Sequence, residues 1–135
     1  MKEVEGNKGV GGIDFVTIYI LEAHPLDCWP LFKEIDYNQP TTLEERLKVV
    51  EGYVDGTGIK GDVVVDLMTN EVEKKFAAWP ERLYVLLNGV IIYKGGKGPE
   101  GYVLSELVSV LDQYFPPSPS SSSPSAPSSP CSTGS

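Results

Sequence analysis

A histidine, two carboxylates, a phenol, a thiol and an indole fall between Tyr19 and Trp29: Tyr19, Glu22, His24, Asp27, Cys28 and Trp29. His24 is the chain's one histidine, and imidazole is the side chain that moves protons near neutral pH. Glu22 stands two residues earlier, so its carboxylate, hydrogen-bonded to one ring nitrogen, would fix the tautomer and raise the basicity of the other. Pro25 holds His24 in extended or turning backbone. Tyr19 would add a phenolic donor from the same side of a strand. Such a constellation does general acid–base chemistry; the same residues also make a polar loop whose histidine is merely satisfied. Cys28, four residues past His24, is a candidate thiolate activated by an imidazolium, or a small, partly buried free thiol. No second cysteine stands nearby to resolve an oxidised form. Trp29 and Trp79 either line an aromatic-sized pocket or fill the core.

Other patterns imitate chemistry. Gly96-Lys-Gly-Pro-Glu-Gly101 fits G-x-G-x-x-G, but a dinucleotide site also needs a following parallel strand and an acidic residue about 20 positions on. Serine and proline occupy that region, so the segment reads as a glycine turn. One histidine and two distant cysteines do not make a zinc tetrahedron, and no metal is expected.

The elements that must position the cluster follow from periodicity. Phe15 to Leu21 is a continuous β-branched and aromatic run, expected as a strand buried on both faces. Thr41 and Thr42 each precede a glutamate by three residues, as in a capping box, and Leu43, Leu47, Val50 and Val54 share one face. A helix from about Thr41 to Tyr53 follows, broken by Asp55-Gly-Thr-Gly58 and Gly61. Val63 to Val65 is a second short buried strand. Asn70 with Glu73 would cap a short helix that turns Val72 and Phe76 inward and ends near Trp79-Pro80. Arg82 to Leu87 and Val90 to Lys94 flank Asn88-Gly89, a type I′ hairpin signal. Val103, Leu104, Leu107, Val108, Leu111 and Phe115 trace a last helix, stopped by the double proline.

This order is an α/β pattern with a mixed sheet: parallel strands joined by helical crossovers, an antiparallel edge strand, and a helix returning to the sheet. A terminal hairpin followed by a helix suggests a thioredoxin-like half. In that fold a proline before the hairpin, here Pro80, is commonly cis beside the redox site; it would otherwise simply terminate a helix. The cluster lies just past the C-terminal end of the first strand, where α/β proteins place ligands.

At 135 residues the chain fits one domain. A net charge of −8 opposes nucleic-acid phosphates and anionic lipid headgroups, so neither nucleic acid nor membrane is an expected partner. No apolar run reaches the roughly 20 residues of a spanning helix, and the first twelve residues lack the apolar stretch of a secretory signal. Two cysteines, one in a tail, fit a reducing compartment. These features favour a soluble, cytoplasmic chain. Residues 1–12 are expected to be a flexible start, 13–115 the folded domain, and 116–135, rich in serine and proline and free of charge, a disordered tail.

Three segments, Tyr19-Ile-Leu-Glu-Ala-His-Pro-Leu-Asp-Cys-Trp29, Trp79-Pro-Glu-Arg-Leu-Tyr84 and Tyr93-Lys-Gly-Gly-Lys-Gly-Pro99 with Tyr102, closely resemble the iodothyronine deiodinases. The resemblance covers roughly Ile13 to Phe115. It implies a thioredoxin-like fold and reductive removal of iodide from thyroid hormones by a selenol with an external thiol donor. No bound cofactor is implied. Tyr19, Glu22 and His24 would form the proton-delivery network, His24 protonating the carbon that loses iodine or relaying a proton to the substrate phenol. Trp29 and Pro80 would contact substrate. The family often forms homodimers, which makes a second copy an expected partner.

The chain also departs from that family. Met1 to Gly12 contains neither the strand nor the cysteine or selenocysteine expected upstream of Phe15, nor the family's membrane anchor, and Cys28 stands where a small residue such as glycine is expected. The resemblance therefore implies proton machinery without its nucleophile, in a fold lacking its first strand and helix. An annotated start downstream of an unread selenocysteine codon would account for this. That missing strand would pair between Phe15–Leu21 and Leu83–Leu87, and its loss would expose apolar edges. Three functions follow: a deiodinase-like oxidoreductase completed by upstream residues, a non-catalytic thioredoxin-like module binding an aromatic ligand or a protein, and a thiol reductase running on Cys28.

Overall fold

A computed structural model describes residues 12–31, 33 and 35–116. The expected flexible start and serine–proline tail, Cys131 included, lie outside these residues except at Gly12 and Pro116. The elements run β1 (Val16–Tyr19), α1 (Leu43–Thr57), β2 (Asp62–Val65), α2 (Glu71–Phe76), β3 (Tyr84–Leu87), β4 (Val90–Lys94) and α3 (Leu104–Tyr114). The architecture is mixed α/β with small sheets and a C-terminal helix.

β1 and β2 pair in parallel, with Val16 opposite Asp62 and Tyr19 opposite Val65, so α1 is the crossover between them. β3 and β4 form the antiparallel hairpin. Asn88 and Gly89 both take positive φ, 51° and 78°, as a type I′ turn requires. The register shifts between Val85 and Leu86, where the ladder skips Ile92. No ladder joins the two sheets among the described residues.

The first strand is shorter and barer than the sequence suggests. It spans four residues, and Phe15, Val16 and Ile18 are 57%, 58% and 40% exposed. Val64 on β2 is open too, at 45%. A continuous apolar run signals cover on both faces, but here only alternate residues are partly covered. The hairpin also leaves Leu86, Val90 and Ile91 exposed, as α3 does Leu104 and Val108.

α1 begins where expected and ends later. Thr42 accepts from the Glu45 N–H while the Glu45 carboxylate accepts from Thr42, a reciprocal capping box. The helix runs through Gly52 and Gly56 to Thr57, whose hydroxyl bonds the Tyr53 carbonyl. Gly58 stops it by turning left-handed at φ 61° and donating to the Val54 carbonyl.

The start of α2 differs in mechanism. Asn70 sits at the cap position in left-handed backbone and makes no side-chain cap. Asp66, 2% exposed, does the capping instead: its two carboxylate oxygens accept from the N–H groups of Val72 and Glu73 at 3.2 and 2.9 Å. The Asn70 amide is turned to the buried Arg46 guanidinium. α2 ends at Phe76, before Trp79-Pro80, because Ala77 turns left-handed there. The Trp79–Pro80 and Gly98–Pro99 peptides are both cis.

Candidate functional site

β1 ends at Tyr19, where the ladder to β2 stops with the Asp66 N–H donating to the Tyr19 carbonyl at 2.8 Å. Beyond it the chain is free to turn, and Pro25, fully buried, anchors the turn. A cavity of about 280 Å³ opens at this end of the strand, lined by residues 17–24 of β1 and its continuation, by Tyr53 of α1, and by Pro80 and Glu81 ahead of β3. Tyr19, Glu22, His24 and Pro80 thus share one concavity, although nearly sixty residues separate the first three from the last. Trp29 and Cys28 do not line it. Trp29 is 55% exposed, and Cys28 is an exposed free thiol in the turn closed by its N–H on the Pro25 carbonyl.

The Glu22 carboxylate is the hub. Its Oε2 accepts from the Tyr19 hydroxyl at 2.5 Å and from the Tyr37 hydroxyl at 2.8 Å; its Oε1 accepts from the main-chain N–H groups of Ala23 and His24 at 2.9 and 3.3 Å. Burial alone would raise its pKa. The hydrogen bonds, those of the two phenols foremost, outweigh burial and hold the carboxyl below its usual range. Tyr19 moves the other way: burial first, then its bonds to Glu22 and Tyr37, raise its pKa well above the ordinary tyrosine value. The phenol therefore stays protonated at physiological pH, with its one hydrogen available to donate to Glu22.

The expected carboxylate-to-imidazole bond takes another form. Glu22 bonds the His24 backbone, while His24 Nδ1 lies 3.1 Å from the Trp29 carbonyl oxygen and the indole stacks edge-on at 4.9 Å between ring centres. A carbonyl only accepts, so that contact selects the tautomer protonated on Nδ1 and puts the lone pair on Nε2. The main chain of Trp29 thus performs the orienting task that spacing assigned to Glu22. Asp27 also serves structure: its carboxylate accepts from the Gln39 N–H at 2.8 Å.

Tyr37 and Gln39 are the members that spacing along residues 19–29 does not reveal. They arrive from the segment before α1, held by Leu26 N–H on the Tyr37 carbonyl and by the Gln39 amide on the Glu22 carbonyl. The contiguous cluster gives no signal for them, because the turn at Pro25 brings them back from fifteen or more residues away. Among the described residues no three His, Cys, Asp or Glu side chains converge as a metal would require, and no helix is long and apolar enough to cross a membrane.

Comparison with known proteins adds a second line. A model of the iodothyronine deiodinase family matches residues 7–115. Thyroxine 5-deiodinase of Aquarana catesbeiana is 45% identical over 104 residues, 75% of this chain and 38% of the relative. Type I iodothyronine deiodinase of Xenopus laevis is 42% identical over 100 residues, 74% of this chain and 39% of the relative. Thyroxine 5-deiodinase of Ovis aries is 39% identical over 104 residues, 76% of this chain and 35% of the relative. The chain spans less than two fifths of the length of each.

Proposed function

The chain belongs to the iodothyronine deiodinase family, and from that premise we propose that the cavity at the end of β1 is the proton-handling half of a reductive deiodination site for thyroxine-type iodinated phenols. The observation that supports it is the shared concavity of Glu22, His24 and Pro80, which joins the acid–base cluster to the bend ahead of the hairpin.

In this reading the carbon–iodine bond breaks, the ring carbon takes a proton, and iodine leaves as iodide. Two thiol groups of an external donor are oxidised to a disulfide, so electrons balance. His24, protonated on both nitrogens in its acidic form, delivers the proton from Nε2 while the Trp29 carbonyl retains the one on Nδ1. Glu22 and Tyr19 form the polar wall that orients the substrate phenol. The selenol or thiol nucleophile comes from polypeptide other than the described residues, since Cys28 is exposed and outside the cavity.

The finer fold assignment belongs with this reading. A parallel pair crossed over by α1, a hairpin and a final helix are consistent with a thioredoxin-like domain, and since no ladder joins the two sheets among the described residues, that fold would take a central strand between β1 and β3. Such a strand would pair the free edges of β1 and β3 and bring the nucleophile to the cavity rim. A thiol donor, a paired second copy and a cytoplasmic setting complete the proposal.

Iodide release from thyroxine with excess dithiol tests it, comparing this chain with one extended by a cysteine- or selenocysteine-bearing strand–loop–helix segment. The expected result is release by the extended form alone, abolished by His24→Gln while thyroxine binding persists. Release by the unextended chain that survives Cys28→Ser overturns the placement of the nucleophile. Undiminished turnover in extended His24→Gln overturns the role of the histidine. Thyroxine binding without release in either form would make the chain a binding module.

A further inference from the structure

Glu22 Oε2 is shared by two phenols, and one of them, Tyr37, does not line the cavity. We propose that Tyr37 is a positioning residue of the site: from outside the cavity its hydroxyl fixes the Glu22 carboxylate in its ionised, acceptor form and so sets the geometry in which Tyr19 donates. The inference deepens the proton-network reading of Glu22 and rests on it for its catalytic meaning.

Three features carry it. The first is saturation. Glu22 accepts four hydrogen bonds, two on each oxygen, so its plane is fixed by donors on both sides, and the donors to Oε2 come from separate parts of the chain. Removing Tyr37 leaves Tyr19 alone on that oxygen. The second is independence of scaffold and hydroxyl. The segment bearing Tyr37 is held by the Leu26 N–H on the Tyr37 carbonyl at 3.0 Å, by the Gln39 N–H on Asp27 at 2.8 Å and by the Gln39 side chain on the Glu22 carbonyl at 2.9 Å. None of these uses the phenol, so the hydroxyl is free to serve Glu22. The third is the contact between the two phenols, whose oxygens lie 3.4 Å apart. Both hydroxyls point at one acceptor, so neither can swing away without the other gaining a larger share of it.

Burial, opposed by the contact with Tyr19 and reinforced by the hydrogen bond to Glu22, keeps the Tyr37 phenol above the ordinary tyrosine range. It is a donor throughout the range in which Glu22 titrates.

The test is the carbon-13 titration of the Glu22 side-chain carboxyl in the full chain, wild type, with Tyr37→Phe, and with a ring-fluorinated tyrosine placed at 37. The fluorinated phenol is the more acidic and hence the stronger donor. Expected is an upward shift of the Glu22 midpoint with Phe and a downward shift with the fluorinated ring, while amide spectra away from the site keep their wild-type positions. A side chain that only fills space would not move the midpoint in opposite directions for the two. A midpoint unchanged in both, or displaced the same way by both, overturns the proposal. If the Phe chain fails to fold, the fluorinated one, which keeps every wild-type contact, decides alone by its direction. The titration needs no turnover. Failure of iodide release would therefore leave this result standing, and an unmoved midpoint in an active enzyme would remove Tyr37 and not the deiodinase reading.

Discussion

Arg46 donates from Nη2 to Asn70 Oδ1 at 3.0 Å, twenty-four residues along the chain. Its Nη1 reaches the carbonyls of Asp66 and Leu67 at 2.9 and 3.0 Å. One planar fork thus binds α1 to the segment that follows β2, at 1% exposure. Among the described residues few apolar side chains match that burial, Pro25 and, at 6% exposure, Val50 among them. The attachment of α1 to the end of β2 is therefore held by directed polar contacts as well as by apolar cover.

Replacing Arg46 by Met keeps the apolar stem but leaves buried acceptors unpaired, each costing about 1–3 kcal/mol. Urea unfolding is expected to lose roughly 3 kcal/mol in total for Arg46→Met, within the range for several orphaned acceptors that partly rehydrate. Arg46→Lys should fall between that variant and wild type, because an ammonium cannot span three acceptors in a fork. Equal stability of Arg46→Lys and wild type would show that charge alone suffices.

This cluster also shows what the sequence can and cannot disclose. Periodicity places all seven elements in order, and Asn88-Gly89 and Thr42 with Glu45 mark a turn and a cap that depend only on neighbours within four residues. Asn70 misleads because its side chain is claimed by Arg46 from another helix, and no local rule registers a partner that distant. Tyr37 is silent for the same reason, reaching Glu22 only after the turn at Pro25. His24, Glu22 and Tyr19 are legible as a group since they follow one strand end, yet the atom facing Nδ1 is a main-chain carbonyl, which no side-chain pattern encodes. The run from Phe15 to Leu21 reads as fully buried because composition reports what a strand is suited to, not what covers it.

Asp66, rather than Asn70, is expected to govern α2. Asp66→Ala removes two charge-assisted bonds to the first turn and should cost about 1–2 kcal/mol, the range for a lost N-cap. Amide exchange of Val72 and Glu73 should accelerate selectively. Asn70→Ala should leave those two amides protected and act through Arg46, so its effect should vanish in an Arg46→Met background. Persistence of that effect would assign Asn70 a role other than its contact with Arg46.

Two glycines to alanine should move stability in opposite directions. Gly61 has φ 95°, and an added Cβ would lie 2.5 Å from the Phe15 carbonyl oxygen, which itself accepts the Asp62 N–H opening the β1–β2 ladder. Gly61→Ala is expected to destabilise by roughly 1–3 kcal/mol through backbone strain. Gly52 lies inside α1 with nothing within 4 Å of the added carbon, so Gly52→Ala should stabilise by about 0.5–1 kcal/mol from helix propensity. Thermal midpoints of the two variants shifting in the same direction would contradict the backbone assignment at one of them.

The Glu22 hub makes stability depend on acid in a definite sense. Its carboxyl titrates below the ordinary value of 4.5 in the folded chain, because the bonds from Tyr19, Tyr37 and two main-chain N–H groups together overcome burial. The unfolded state therefore binds this proton at higher pH than the folded state does. The stabilisation from ionised Glu22 is fully present above the unfolded value and is lost as pH falls through the folded one. Glu22→Gln should lower the thermal midpoint at pH 7, since an amide offers one acceptor oxygen where the carboxylate offers two, and the difference from wild type should narrow as acid protonates the native carboxyl. Because the group is only about half buried, solvent screening keeps the effect modest. A gap between Glu22→Gln and wild type that widened on acidification would mean that the carboxyl enters the fold protonated, with one of the two phenols accepting its proton rather than donating, and the direction of proton flow through the site would have to be reversed.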